Sequence, residues 1–233
     1  MPRPSTPTRE RRFRRRLLAW YRKAARDLPW RRTRDPYAIL VSEFMLQQTQ
    51  VARVLDFYEP FLRRYPSIHS LARARPLAVR EAWEGLGYYR RAANLHRLAQ
   101  EVIKRHDGVV PADVPSLREL PGVGAYTAGA VACFAYETPA ATVDTNVARV
   151  LGRVFQRRVR RRAPGRDRSR ARVLFALAES LLPRRGRTAY DFNQALMELG
   201  ALVCTARSPK CPACPVRACC DWYGARKPGA VSR

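Results

Sequence analysis

Apolar residues recur at three- and four-residue spacing along most of the chain. Phe13, Leu17, Leu18, Trp20 and Tyr21 fall on one helical stripe among arginines, which predicts an amphipathic helix over 13–21. Asp35-Pro36 opens the next helix, with Asp as N-cap and Pro at the first helical position. That helix runs through Ile39, Leu40, Glu43, Phe44 and Gln47. The same periodicity predicts helices over 51–65, 77–84, 88–105, 124–136, 145–155, 170–182 and 189–203. Period-2 alternation is nearly absent, so the expected fold class is all-α. Residues 157–172 carry nine arginines and one aspartate around Pro164-Gly165 and read as a solvated basic loop. From Arg226 onward the chain reads as a tail.

Charge adds a partner to this outline. Lys+Arg number 45 and Asp+Glu 19 over 233 residues, a net charge of +26. Such a surplus calls for a polyanion, and nucleic acid is the first candidate. No apolar run approaches the roughly 20 residues of a membrane span, so no membrane role is expected. The Arg-rich start is followed by no apolar segment and reads as a short basic arm rather than an export signal. The expected setting is cytoplasmic, at the nucleoid of a bacterium or archaeon. In a reducing compartment the six cysteines favour ligation over disulfides.

Cys204, Cys211, Cys214 and Cys220 form C-x6-C-x2-C-x5-C, with prolines at 209, 212 and 215. Four thiolates this close, on a segment kept out of helix by proline, can surround one metal centre. Zinc and a cubane iron–sulfur cluster both accept four Cys ligands, and spacing alone does not separate them. Cys219 adjoins Cys220, which leaves the register of the last ligand open by one residue. Cys133, inside an apolar helix, reads as core.

Leu120-Pro121-Gly122-Val123-Gly124-Ala125-Tyr126-Thr127 reads as a turn between two short helices. Its glycines let backbone approach a ligand, and N–H groups at the following helix start can cradle a phosphate. Two carboxylates stand out. Glu43 is flanked by apolar residues on its helix, and Asp144 follows an apolar run and can cap the helix that starts at Thr145.

The set LPGVGAYTAGA, VDTNV, SEFMLQQTQV, GLGYYRRA and the four-cysteine spacing resembles the helix-hairpin-helix DNA glycosylases that carry an iron–sulfur cluster. Within them it is most similar to the adenine DNA glycosylase (MutY) branch, over about residues 13–222. The resemblance implies two helical domains with a DNA cleft between them. One, about 31–139, is a six-helix barrel with the hairpin; the other joins 1–30 to 140–225 and holds one 4Fe-4S cluster on Cys204, Cys211, Cys214 and Cys220. The implied reaction removes adenine mispaired with 8-oxoguanine or guanine, after flipping it from the duplex. Glu43 is the implied general acid at the purine N7, which requires a pKa raised by its apolar surroundings. Asp144 stabilises the oxocarbenium ion, and Tyr126 and Asn146 orient both.

Lyases of this superfamily carry a Schiff-base lysine where this chain has Tyr126. The four lysines lie outside the active-site motifs, so a monofunctional enzyme is expected. Gly122, Val123 and Gly124 would bind the DNA backbone, and Gln48, Thr49 and Tyr88 would probe the stack. Trp30 and Arg31 would line the base pocket. The expected partner is double-stranded DNA with a mispair, bound by a monomer. The typical branch member continues into a further domain that helps recognise 8-oxoguanine, whereas this sequence stops after the cysteines, which leaves its opposite-base preference open. The alternatives are a thymine or uracil glycosylase acting on T:G or U:G mismatches, and a non-catalytic damage-binding protein.

Overall fold

The computed structural model describes residues 8–163 and 168–225, and among them the protein is all-α, with no strand. The tail from Arg226 and the Pro164-Gly165 break lie outside the described residues. The chain divides into two compact units, residues 26–140 and residues 1–25 with 141–233.

Helix α1 (Arg9–Ala24) belongs to the second of these units and starts with Thr8 as N-cap, its hydroxyl accepting from Arg11 N at 3.3 Å. Residues 9–16, expected as a basic arm, are therefore helical. Phe13, Leu17 and Tyr21 bury one face, and Phe13 meets Phe155 and Phe192 edge-on at 5.3 and 6.3 Å. A buried phenylalanine of this kind contributes roughly 2–3 kcal/mol, enough to anchor a helix whose other face is arginine.

The 26–140 unit holds α2 (Pro36–Leu46), α3 (Val51–Arg64), α4 (Ile68–Ala72), α5 (Pro76–Glu81), α6 (Arg90–His106), α7 (Val114–Glu119) and α8 (Ala125–Tyr136). Helices α2 and α8 are its centre. Every residue from Tyr37 to Met45 and from Thr127 to Phe134 is buried, and the two helices pack on each other. A helix apolar all round must be surrounded by protein, and α2 also packs on α3 and α6. The unit begins at 26 rather than 31 because Leu28 and Trp30 are buried, Trp30 standing edge-on to Tyr58 of α3 at 5.4 Å.

The remaining helices are α9 (Thr145–Val154), α10 (Gln156–Arg162), α11 (Arg168–Leu181), α12 (Gly186–Leu202) and α13 (Asp221–Gly224). They pack with α1 around Phe155, Leu177, Phe192 and Leu196. The basic stretch read as a loop is thus largely helical. Val159 is fully buried and pins α10, and the Arg157 backbone N–H donates to Asp221 Oδ2 at 2.9 Å. One apolar residue in seven carries no periodicity, which is why pattern reading missed this helix.

Candidate active site and cysteine loop

Glu43 lies in the fourth position from the end of α2 and is 5% exposed. It sits on a helix that is buried on all sides and not on a solvent-facing stripe. Asp35 caps the start of this helix, its Oδ1 accepting from Tyr37 N at 2.9 Å. At the other end the chain leaves α2 through Gln48, whose φ is +57°, and Gln48 is exposed. Tyr88, ahead of α6, also has a left-handed backbone (φ +50°) and is 61% exposed. Such conformations are uncommon outside glycine, and here two occur at residues whose side chains reach solvent. Thr49 follows, half-buried, with its hydroxyl donating to Gln47 O at 3.4 Å. Trp30 is buried against Tyr58, and Arg31 is half-buried with its guanidinium donating to Arg26 O at 2.9 Å.

Helices α7 and α8 form the expected hairpin. Gly122 has φ +78°, and a Cβ there would come within 2.8 Å of Asn94 and 3.0 Å of Phe44, so only glycine fits. A Cβ at Gly124, the N-cap of α8, would meet nothing within 4 Å. Gly124 and Ala125 are exposed there, ahead of the free N–H groups of a twelve-residue helix. Val123 is buried and closes the turn, its N–H donating to Leu120 O at 3.1 Å. Tyr126 stands half-buried in the first turn of α8.

In the other unit Asp144 is the N-cap of α9. Its Oδ1 accepts from Val147 N at 2.6 Å and its Oδ2 from Asn146 Nδ2 at 3.1 Å. Each carboxylate oxygen of the cap thus has one donor. Asn146 Oδ1 in turn accepts from Arg149 at 2.6 Å, and Arg149 donates onward to Cys204 O at 2.7 Å and Gly200 O at 2.9 Å. One turn further, Arg153 donates to Thr205 O at 2.7 Å and reaches Cys204 Sγ at 3.4 Å. Helix α9 therefore carries Asp144 at one end and grips the cysteine loop along its length. Asn146, Arg149 and Arg153 recur at helical spacing, a signal present in the sequence but overlooked beside the larger charge run.

Cys204, Cys211, Cys214 and Cys220 line one pocket together with Val203, Pro209, Val216 and Trp222. Cys219 is instead buried in the apolar core, and its carbonyl accepts from Arg9 at 2.8 Å. None of the six cysteines is in a disulfide. Burial pushes the Cys214 thiol up to about 11, and the three neighbouring thiols of the pocket push in the same direction. Burial raises Cys220 as well. Four soft donors around one apolar pocket fit a group larger than a single ion, one that each thiol can reach from its own side, with Arg153 alongside. Among the described residues no three His, Cys, Asp or Glu side chains are grouped to hold a single metal ion. No helix among them is long and apolar enough to cross a membrane.

Residues 41–166 match the model of the HhH-GPD superfamily base excision DNA repair proteins. The chain belongs to this superfamily. It is a DNA N-glycosylase of the helix-hairpin-helix fold. It is 50% identical over 214 residues to the adenine DNA glycosylase of Mycobacterium tuberculosis, covering 91% of this chain and 67% of the relative. It is 40% identical over 206 residues to the thymine/uracil-DNA glycosylase of Pyrobaculum aerophilum, with 88% of each chain covered. The structure of a thermostable thymine-DNA glycosylase superposes with a TM-score of 0.82 at 34% identity, covering 92% of this chain and 96% of that one. As a glycosylase of this superfamily, the protein binds DNA.

Proposed function

We propose that this glycosylase releases adenine from mispairs with 8-oxoguanine or guanine in double-stranded DNA and leaves an abasic site. The observation that carries the reading is the 50% identity to an adenine DNA glycosylase over nine-tenths of the chain. Glu43 gives its proton to adenine N7. Its 5% exposure keeps bulk water from that proton transfer. The C1′–N9 bond then breaks, and its electron pair leaves with the base. Asp144, at the start of α9, stabilises the oxocarbenium ion that remains, and Asn146 fixes its orientation. Water adds to C1′ and loses a proton to the Glu43 carboxylate, which restores the acid. Tyr126 occupies the position at which a lyase needs an amine, so the strand is not cut.

The exposed Gly124 backbone and the start of α8 hold phosphate, with Gly122 and Val123 shaping the turn. Gln48, Thr49 and Tyr88 enter the stack beside the mispair, and Trp30 and Arg31 border the base pocket. Cys204, Cys211, Cys214 and Cys220 would hold one 4Fe-4S cluster, which supplies a cross-link between the loop and the core when bound. The protein acts as a monomer on chromosomal DNA in the cytoplasm.

A second reading is favoured by the thymine-DNA glycosylase fold and the 40% identity to a thymine/uracil enzyme: release of thymine or uracil opposite guanine. Single-turnover base release on duplexes holding A:8-oxoG, A:G, T:G or U:G, followed by alkali, separates the two. Adenine release fastest opposite 8-oxoguanine is expected; release of only thymine or uracil establishes the second reading. In the same assay Glu43→Gln is expected to lower the rate at least 100-fold while duplex affinity is kept. A wild-type rate would remove Glu43 from the role of acid, and wild-type protein that binds without releasing any base would be a damage-binding protein.

A further inference from the structure

The two left-handed residues that end α2 and precede α6, Gln48 and Tyr88, are held by one side chain. Arg91, in the first turn of α6, is 7% exposed. Its Nη1 donates to Phe44 O at 3.1 Å, to Met45 O at 2.6 Å and to Gln47 O. Its Nη2 donates to Leu86 O at 3.1 Å and Gly87 O at 3.0 Å. The Arg91 backbone N–H donates to Tyr88 O at 2.9 Å, and the guanidinium lies 5.4 Å from the centre of the Tyr88 ring. All five of these acceptors are backbone carbonyls, in two segments, 44–47 and 86–87, that are far apart in the chain.

That arrangement is specific to arginine. The planar fork offers two nitrogens pointing in different directions, each able to serve one segment, whereas an ammonium is a single point donor. The carbonyls of Phe44, Met45 and Gln47 are those a helix C-terminus leaves without partners, and they present the negative end of the α2 dipole to the cation. The last residue gripped on one side, Gln47, adjoins Gln48, and the last on the other, Gly87, adjoins Tyr88. With the preceding peptide fixed, each of the two residues is driven into its left-handed conformation and its side chain outward.

We infer that Arg91 is a positioning residue that makes Gln48 and Tyr88 one two-pronged probe of the double helix, inserted as a unit and responsible for preference for a mispair over a matched pair. The inference rests on the proposed reading of Gln48 and Tyr88 as duplex contacts. A probe whose backbone spacing is fixed before binding loses less ordering entropy on insertion, and it enters most readily where the stack is already weak. Two independent side chains would each bind somewhat, at matched and mispaired sites alike.

The test measures affinity by fluorescence anisotropy on duplexes with a 2′-fluoro target nucleoside, either mispaired as the wild type prefers or matched. Gln48→Ala and Tyr88→Ala are each expected to reduce the mispair-to-match ratio about tenfold, and the double variant about tenfold rather than a hundredfold. Arg91→Lys, monitored for retained helix content, is expected to lose about as much preference as the double variant. In the Lys background the two alanine substitutions are expected to add little. Effects that multiply to about a hundredfold, or a wild-type ratio in Arg91→Lys, overturn the clamp and leave the duplex contacts standing. Gln48→Ala and Tyr88→Ala that both bind like wild type overturn the duplex-contact reading itself. The Gln48–Tyr88 cycle needs no change at Arg91, so it decides the matter even where the Lys variant fails to fold.

Discussion

Two loops of this protein are fastened by arginines that donate to backbone carbonyls, and they are fastened differently. At the ends of α2 and α6, one buried guanidinium serves five carbonyls, with the Thr49 hydroxyl adding a 3.4 Å bond to Gln47 O. In the cysteine loop the work is divided among Arg9, Arg149 and Arg153, each partly exposed, and four thiols stand ready as a second fastening. Concentrating the load in one buried cation gives fixed geometry for the exposed residues beside it, at the cost of tolerance to change. Dividing it makes the loop robust, which suits a scaffold for a bound group. The hydrogen bonds are chemically alike in the two places; burial and number of substitutes set the difference.

The largest effect is expected where there is no substitute. Arg91→Met takes the guanidinium away from five carbonyls, of which those of Phe44, Met45 and Leu86 make buried bonds to it. It is expected to cost about 3–5 kcal/mol of stability by denaturant unfolding. Arg149→Ala removes a comparable set of contacts from a half-exposed site, and about 1–3 kcal/mol is expected by the same measurement. If the two losses were equal, burial would not be what distinguishes the loops. The hairpin sharpens the same contrast on a smaller scale. Gly122→Ala meets Asn94 and Phe44 in a left-handed backbone and is expected to lower stability by about 1–3 kcal/mol. Gly124→Ala meets nothing and is expected to leave the melting temperature within a few degrees while weakening duplex binding. A Gly124→Ala protein with full duplex affinity would take the phosphate contact away from this turn.

Most of the helical framework was legible because the signals are local. Asp35-Pro36 caps and opens α2, Asp144 caps α9, and three-to-four spacing marks α3, α6, α8, α9 and α12. The candidate chemistry was legible for a related reason. Glu43 stands alone in an apolar stretch, and four cysteines within 17 residues are conspicuous in any chain. Helix α10 was not legible, because a helix of five arginines advertises only charge, and it is set in place by Val159 reaching a core built from other helices. Cys219 and Cys220 could not be told apart by spacing. Adjacent residues point to different surroundings, and only the packed chain shows Cys220 in the pocket and Cys219 in the core.

By itself, then, the sequence determined an all-α chain with a hairpin, a cysteine loop, two marked carboxylates and a charge that requires a polyanion. Each of these is a property of residue type and short-range spacing. Only the tertiary structure decided that Arg91 is buried, that Gln48 and Tyr88 are left-handed and exposed, and that Asn146 and Arg149 link Asp144 to the cysteine loop. In a chain with 45 basic residues nothing local distinguishes the arginine that binds carbonyls from those that face water. The difference is made by desolvation, which depends on which segments, distant in sequence, the fold brings around each guanidinium.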